Sequence, residues 1–119
     1  MQNAKADLAD RTKFYARRII RLVSALPKNT VAQVLGKQVL RSGASVGANY
    51  REASRARSRA EFIAKMGDCL KELSESEYWR ELLSEEKIVP VEKLSPLLAE
   101  TRELTAIFVT SIKTARSRS

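Results

Sequence analysis

Only three prolines, Pro27, Pro90 and Pro96, interrupt the 119 residues, and none falls between Lys28 and Val89. Proline and the residue before it both resist helix, so these positions divide the chain into long stretches where helix is unopposed. Within them, apolar residues recur at steps of three and four, the spacing of one helix face. Tyr15, Ile19, Leu22 and Leu26 keep that step in the first stretch, and Pro27 with Asn29 ends it. A first helix over 6–26 is predicted.

Thr30, followed three residues later by Gln33, has the pattern of a capping box and predicts a second helix over 30–56. Ser58 and Glu61 repeat the pattern before Phe62, Met66, Cys69 and Leu73, so a third helix is expected over 58–87. Ile88-Val89-Pro90 reads as an extended break. Ser95-Pro96, a capping serine with proline at the first helical position, predicts a fourth helix over 95–115. Four such helices with short connections predict one all-α domain over 1–119, an antiparallel up-down-up-down four-helix bundle. Its apolar stripes are wide for its size. Tyr15, Tyr78 and Trp79 exceed what so small an interior needs and are expected at a subunit interface of a homo-oligomer.

The chain has no histidine and a single cysteine, Cys69. That excludes an internal disulfide and any Ser–His or Cys–His nucleophilic pair, and it leaves no basis for a zinc site of the usual kind. A magnesium or calcium site built from carboxylates alone stays open. Cys69 falls on the apolar face of the third helix and reads as an inert core thiol. Glu72, Glu75, Glu77, Glu81, Glu85 and Glu86 crowd that helix, but acid–base chemistry needs a cleft that splits the carboxyl pKa values. Solvated helix surface is the plainer reading. No enzyme activity, catalytic residue, metal or cofactor is expected. No apolar run approaches the roughly 20 residues that span a bilayer, and the first residues lack an apolar signal core, so a cytoplasmic chain without a membrane partner is expected.

The net charge of +8 is unevenly placed: residues 1–60 hold 13 Lys/Arg against 3 Asp/Glu, and residues 61–119 hold 9 against 11. Much of the excess follows from one segment, RSGASVGANYREASRARSR over 41–59. Gly43 and Gly47 superficially echo a phosphate loop, but the lysine of that motif is missing and no strand precedes it. Gly43, Ala44, Gly47 and Ala48 read instead as positions where another helix approaches closely. Gln38, Ser42, Ser45, Asn49 and Glu52 recur at helical steps as a polar stripe. If it faces the bundle, it reads as a structural network in which Asn49 and Glu52 fix helix register against arginine or serine partners; if it faces solvent, it is a wet edge. Arg41, Arg51, Arg55, Arg57 and Arg59, with Arg17, Arg18 and Arg21 of the first helix, are the candidate nucleic-acid contacts, since guanidinium forks match phosphate. A solvated face, or pairing with the acidic third helix of a neighbouring subunit, explains the same arginines.

LPKNTVAQVLGKQVLRSGASVGANYREA, followed by FIAKMGDCLKELSESEYWRELL, resembles the four-helix-bundle family of 23S rRNA intervening-sequence proteins. The hallmarks are Leu26-Pro27 closing the first helix, the run Gln38, Arg41, Ser42, Ser45, Val46, Ala48, Asn49 and Glu52, and a third helix led by Phe62 with a glutamate-rich end from Glu72 to Glu77. Related proteins are accessory subunits of the reverse transcriptase in diversity-generating retroelements. The resemblance implies a bundle assembled into a ring-like homopentamer, nucleic-acid binding (RNA or RNA/DNA) through basic surfaces, and a reverse transcriptase or ribosomal component as a further partner. An assembly adaptor whose basic and acidic faces pair between subunits is the alternative.

Overall fold

A computed structural model describes residues 4–118 as four helices: α1 (Ala4–Ser24), α2 (Thr30–Ala53), α3 (Arg59–Glu85) and α4 (Val91–Ser117). Among the described residues the fold is all-α, as expected. Each helix packs on the next in chain order, and α1 closes on α4 along the thinnest seam of the bundle. The molecule measures 51 × 27 × 19 Å. A 27-residue helix spans about 40 Å, so α3 and α4 run most of its length.

The helical periodicity reappears as the core. Tyr15, Ile19, Val39, Val46, Met66, Cys69, Leu73, Leu83, Leu104 and Phe108 are fully buried. Glycines set how closely α1 meets α2. A Cβ on Gly43 would collide with Ile19, one on Gly36 would lie 2.7 Å from Leu26, and one on Gly47 3.2 Å from Thr12. The glycine segment is therefore a helix-packing face.

The helix ends depart from expectation in three places. Asn29, not Thr30, caps α2: its side chain accepts from the Ala32 amide at 2.9 Å, while Gln33 reaches back to the Pro27 carbonyl. Ser58 caps α3 as expected, accepting from the Glu61 amide at 3.0 Å, but α2 stops at Ala53 and leaves residues 54–58 to the turn. The third departure is α4, which starts four residues before the expected Ser95, directly after Pro90. Leu94 and Leu97 are both buried, and their burial carries the helix through Pro96. Ser95 caps nothing; its hydroxyl donates to the Val91 carbonyl at 3.0 Å. No helix among the described residues is long and apolar enough to cross a membrane.

Candidate nucleic-acid interface

The arginines singled out from the sequence do not form one patch. Lys13, Arg17 and Arg21 follow one another at four-residue steps along α1, and all three are exposed. Arg18 lies to the side, its guanidinium 5.9 Å from the centroid of the Phe14 ring. Arg51 and Arg55, from the end of α2, line a groove of about 550 Å³ against α1. Its small lining residues are Ala9, Ala16, Ala44, Gly47 and Ala48, and its charged ones are Lys13, the two arginines and Glu52. Arg57 and Arg59 stand exposed on the turn into α3.

Arg41 differs from the other candidate arginines. It is tied within its own chain to Glu72 at 3.3 Å and, still more closely, to Glu75. Acceptance by Glu75 is the main reason its pKa is raised further. The guanidinium thus bridges α2 to α3.

The polar stripe of α2 also behaves differently from expectation. The Ser42 hydroxyl donates to the Gln38 carbonyl and the Ser45 hydroxyl to the Arg41 carbonyl, at 2.8 and 2.6 Å. Both are satisfied by the preceding turn of their own helix. Glu52 pairs with Lys65 of α3 at 3.2 Å, not with arginine or serine. Asn49 and Gln38 are half-buried and make no side-chain hydrogen bond among the described residues. The flanking charges link α2 to α3, Arg41 with Glu72 and Glu75 at one level and Glu52 with Lys65 at another.

Tyr15 is the clearest correction. It is 0% exposed and belongs to the core of its own chain. Its hydroxyl lies 2.6 Å from Thr101 Oγ1 and 3.2 Å from Ser76 Oγ. Thr101 gives its one proton to the Leu97 carbonyl and accepts from Arg80 Nη2 at 2.5 Å. Tyr15 must therefore donate to Thr101 and accept from Ser76. Tyr78, by contrast, is 54% exposed, and its ring meets Trp79 edge-on at 5.0 Å. Trp79 is half-buried and packs against the core.

Two features were missed in the sequence. Lys13 lines the groove with Arg51 and Arg55, and the four-residue step to Arg17 and Arg21 was the signal available for it. The second is the end of α4. The tetrapeptide Ala-Arg-Ser-Arg occurs twice, at 56–59 and at 115–118, and the fold brings both copies to one end of the bundle. Phe62, one turn into α3, shares a cleft with Thr114, Ala115 and Arg118.

Cys69 is buried against the Val46 carbonyl, and burial pushes its thiol up to about 12. Among the described residues, no group of three or more carboxylate or thiol side chains is placed to hold a metal ion.

A model of the 23S rRNA-intervening sequence protein family matches residues 5–110. No curated protein matches the sequence significantly. The fold is similar to the crystal structure of a protein of unknown function from the S23 ribosomal protein family of Bacteroides thetaiotaomicron VPI-5482. That protein is 38% identical, with a TM-score of 0.86, and the likeness covers 92% of this chain and 97% of that one.

Proposed function

The chain belongs to the 23S rRNA-intervening sequence protein family, and from that premise we propose that it is a non-enzymatic, cytoplasmic protein that binds RNA or RNA/DNA hybrids as a homo-oligomer. One observation carries the reading. Arg17, Arg18, Arg21, Arg51, Arg55, Arg57 and Arg59 make no ion pair with a carboxylate among the described residues, so their charge is left for a polyanion. The groove of Lys13, Arg51 and Arg55 and the exposed row of Arg17 and Arg21 offer separate phosphate contacts along one long side. The proposed assembly is a ring-like pentamer of up-down-up-down bundles. A reverse transcriptase or a ribosomal component is the protein partner that fits this role. The lack of histidine and the sequestered thiol of Cys69 support a binding role over catalysis.

Titrating labelled RNA at two salt concentrations tests the proposal. Log affinity should fall by about 0.7–0.9 per neutralised phosphate for each tenfold rise in salt. Absence of binding at low salt would overturn it.

A second reading, the assembly adaptor, has its own support. Glu77, Glu81 and Glu85 follow α3 at four-residue steps, matching the step of Lys13, Arg17 and Arg21 on α1, and Tyr78 is exposed beside them. If these rows pair between subunits, light scattering will show the oligomer dissociating as salt rises, with no RNA bound at any salt.

A further inference from the structure

At the end of the bundle where α2 turns into α3, two clefts share Phe62 and Ser111. One, of about 380 Å³, is lined by Leu8, Tyr50, Ala53, Phe62 and Met66. The other, of about 260 Å³, is lined by the same ring with Thr110, Ser111, Thr114 and Arg118. The larger lies within the range of small-ligand sites, about 300–1,000 Å³. Phe62 is half-buried, so part of its ring is left for a visitor, while Tyr50, pinned edge-on to Phe108 at 5.9 Å, forms the floor.

The surroundings say what kind of visitor fits. Arg118 lines the smaller cleft, and the adjoining segments carry Arg55, Arg57, Arg59, Lys113 and Arg116 beside Glu61, with Asp10 near Leu8 on α1. The hydroxyls are the second clue. Elsewhere in the helices Thr12, Ser42, Ser95, Thr101 and Thr105 give their protons to the carbonyl one turn back. Thr110, Ser111 and Thr114, which line the smaller cleft, make no side-chain hydrogen bond among the described residues. An aromatic ring, unengaged hydroxyls, Arg118 in the cleft and further basic residues on the adjoining segments together match a flat, polar-edged group attached to an anionic chain.

We propose that this end of the bundle takes an unpaired base of a single-stranded nucleic acid, stacked on Phe62, with the flanking phosphates held by Arg57, Arg59, Arg116 and Arg118. The inference rests on the nucleic-acid reading above and adds a substrate form to it. A duplex keeps its base faces covered and can reach only the arginines. A single strand offers the π-face, which every base carries, so binding here is tolerant of sequence.

The test uses the full chain and fluorescence anisotropy with a labelled single-stranded 12-nucleotide RNA and a blunt duplex of the same length. The wild type should favour the single strand. Phe62→Leu, which keeps apolar volume, should weaken single-strand binding by about 5- to 150-fold and leave duplex binding unchanged. Phe62→Tyr should restore it. The pair Arg116→Gln and Arg118→Gln should weaken both forms and flatten the salt dependence. Ultraviolet crosslinking of a 5-bromouracil strand should label the peptide containing Phe62 in Phe62→Tyr as in wild type. Equal affinity for the two RNA forms, with Phe62→Leu silent, overturns the base pocket while the broader reading stands. An acidic peptide that displaces the strand equally well from wild type and Phe62→Leu overturns it too. No binding of either RNA at low salt removes both proposals. Far-ultraviolet circular dichroism of each variant separates loss of binding from loss of fold.

Discussion

At the scale of single residues, the glycines and the buried polar groups carry the sharpest expectations. Gly43 and Gly67 should respond in opposite directions to the same substitution. Gly43→Ala drives a methyl into the fully buried Ile19 and should cost about 1–3 kcal/mol in urea unfolding. Gly67→Ala meets nothing within 4 Å and should stabilise by about 0.5–1 kcal/mol, because alanine suits a helix interior better. Cys69 gives a pH signature. Its folded thiol is held near 12 against an ordinary value of 9.0, so above pH 9 the unfolded chain loses a proton that the folded chain keeps. Stability should therefore fall as pH rises from about 9 to about 12, and Cys69→Ala should show a shallower fall in equilibrium unfolding. Arg80 is buried; its Nε and Nη2 donate to the Ser76 carbonyl and Thr101 Oγ1, while among the described residues it pairs with no carboxylate and its Nη1 finds no acceptor. Burial lowers its pKa. Replacing such a buried ion with an apolar side chain of similar length is often neutral or stabilising, so Arg80→Met should not lower the melting temperature.

Among the elements, helix termini were the part least legible in advance, for physical reasons. The cap of α2 passed to Asn29 because its side chain reaches the Ala32 amide while Thr30 is already helical. Ser95-Pro96 has the composition of a helix start, yet burial of Leu94 one residue earlier outweighs a local preference worth about 1 kcal/mol. Asn29→Ala and Ser58→Ala should each cost about 1 kcal/mol, whereas Ser95→Ala should be close to neutral, as thermal unfolding of the three variants will show. The turn after α3 holds a further prospect. Lys87 adopts φ 57, a left-handed conformation that glycine takes without the penalty of a Cβ. Lys87→Gly should gain about 1 kcal/mol. Helix interiors were legible because a period of 3.6 survives in the positions of Tyr15, Ile19, Val39 and Val46. Tyr15 still misled. Its periodic position marked it as inward, but the sequence offers more aromatics than so small an interior needs, and Ser76 and Thr101 give its hydroxyl partners inside the core.

For the molecule as a whole, the candidate site was half visible. The charge asymmetry between the two halves of the chain points to a basic surface, and Arg51, Arg55, Arg57 and Arg59 do lie outward. What a linear reading could not supply was the meeting of segments far apart in sequence, the second Ala-Arg-Ser-Arg beside Phe62 and Glu72 and Glu75 beside Arg41. Like arginines close together and unlike ones paired off are properties of the folded surface.

The thin seam between α1 and α4 reaches beyond statics. Along it run the ion pair of Arg11 with Glu100 at 2.6 Å and the hydrogen bond of Tyr15 with Thr101, and beyond it α4 packs on α3 less extensively than α1 packs on α2. Local opening follows the least expensive boundary. Amide protons of α4, the helix least packed against the rest, should therefore exchange with deuterium sooner than those in the middle of α2 and α3. Tyr15→Phe, which removes the seam's buried hydroxyl, should widen that difference. The bundle would then breathe as a three-helix body with one leaf that swings.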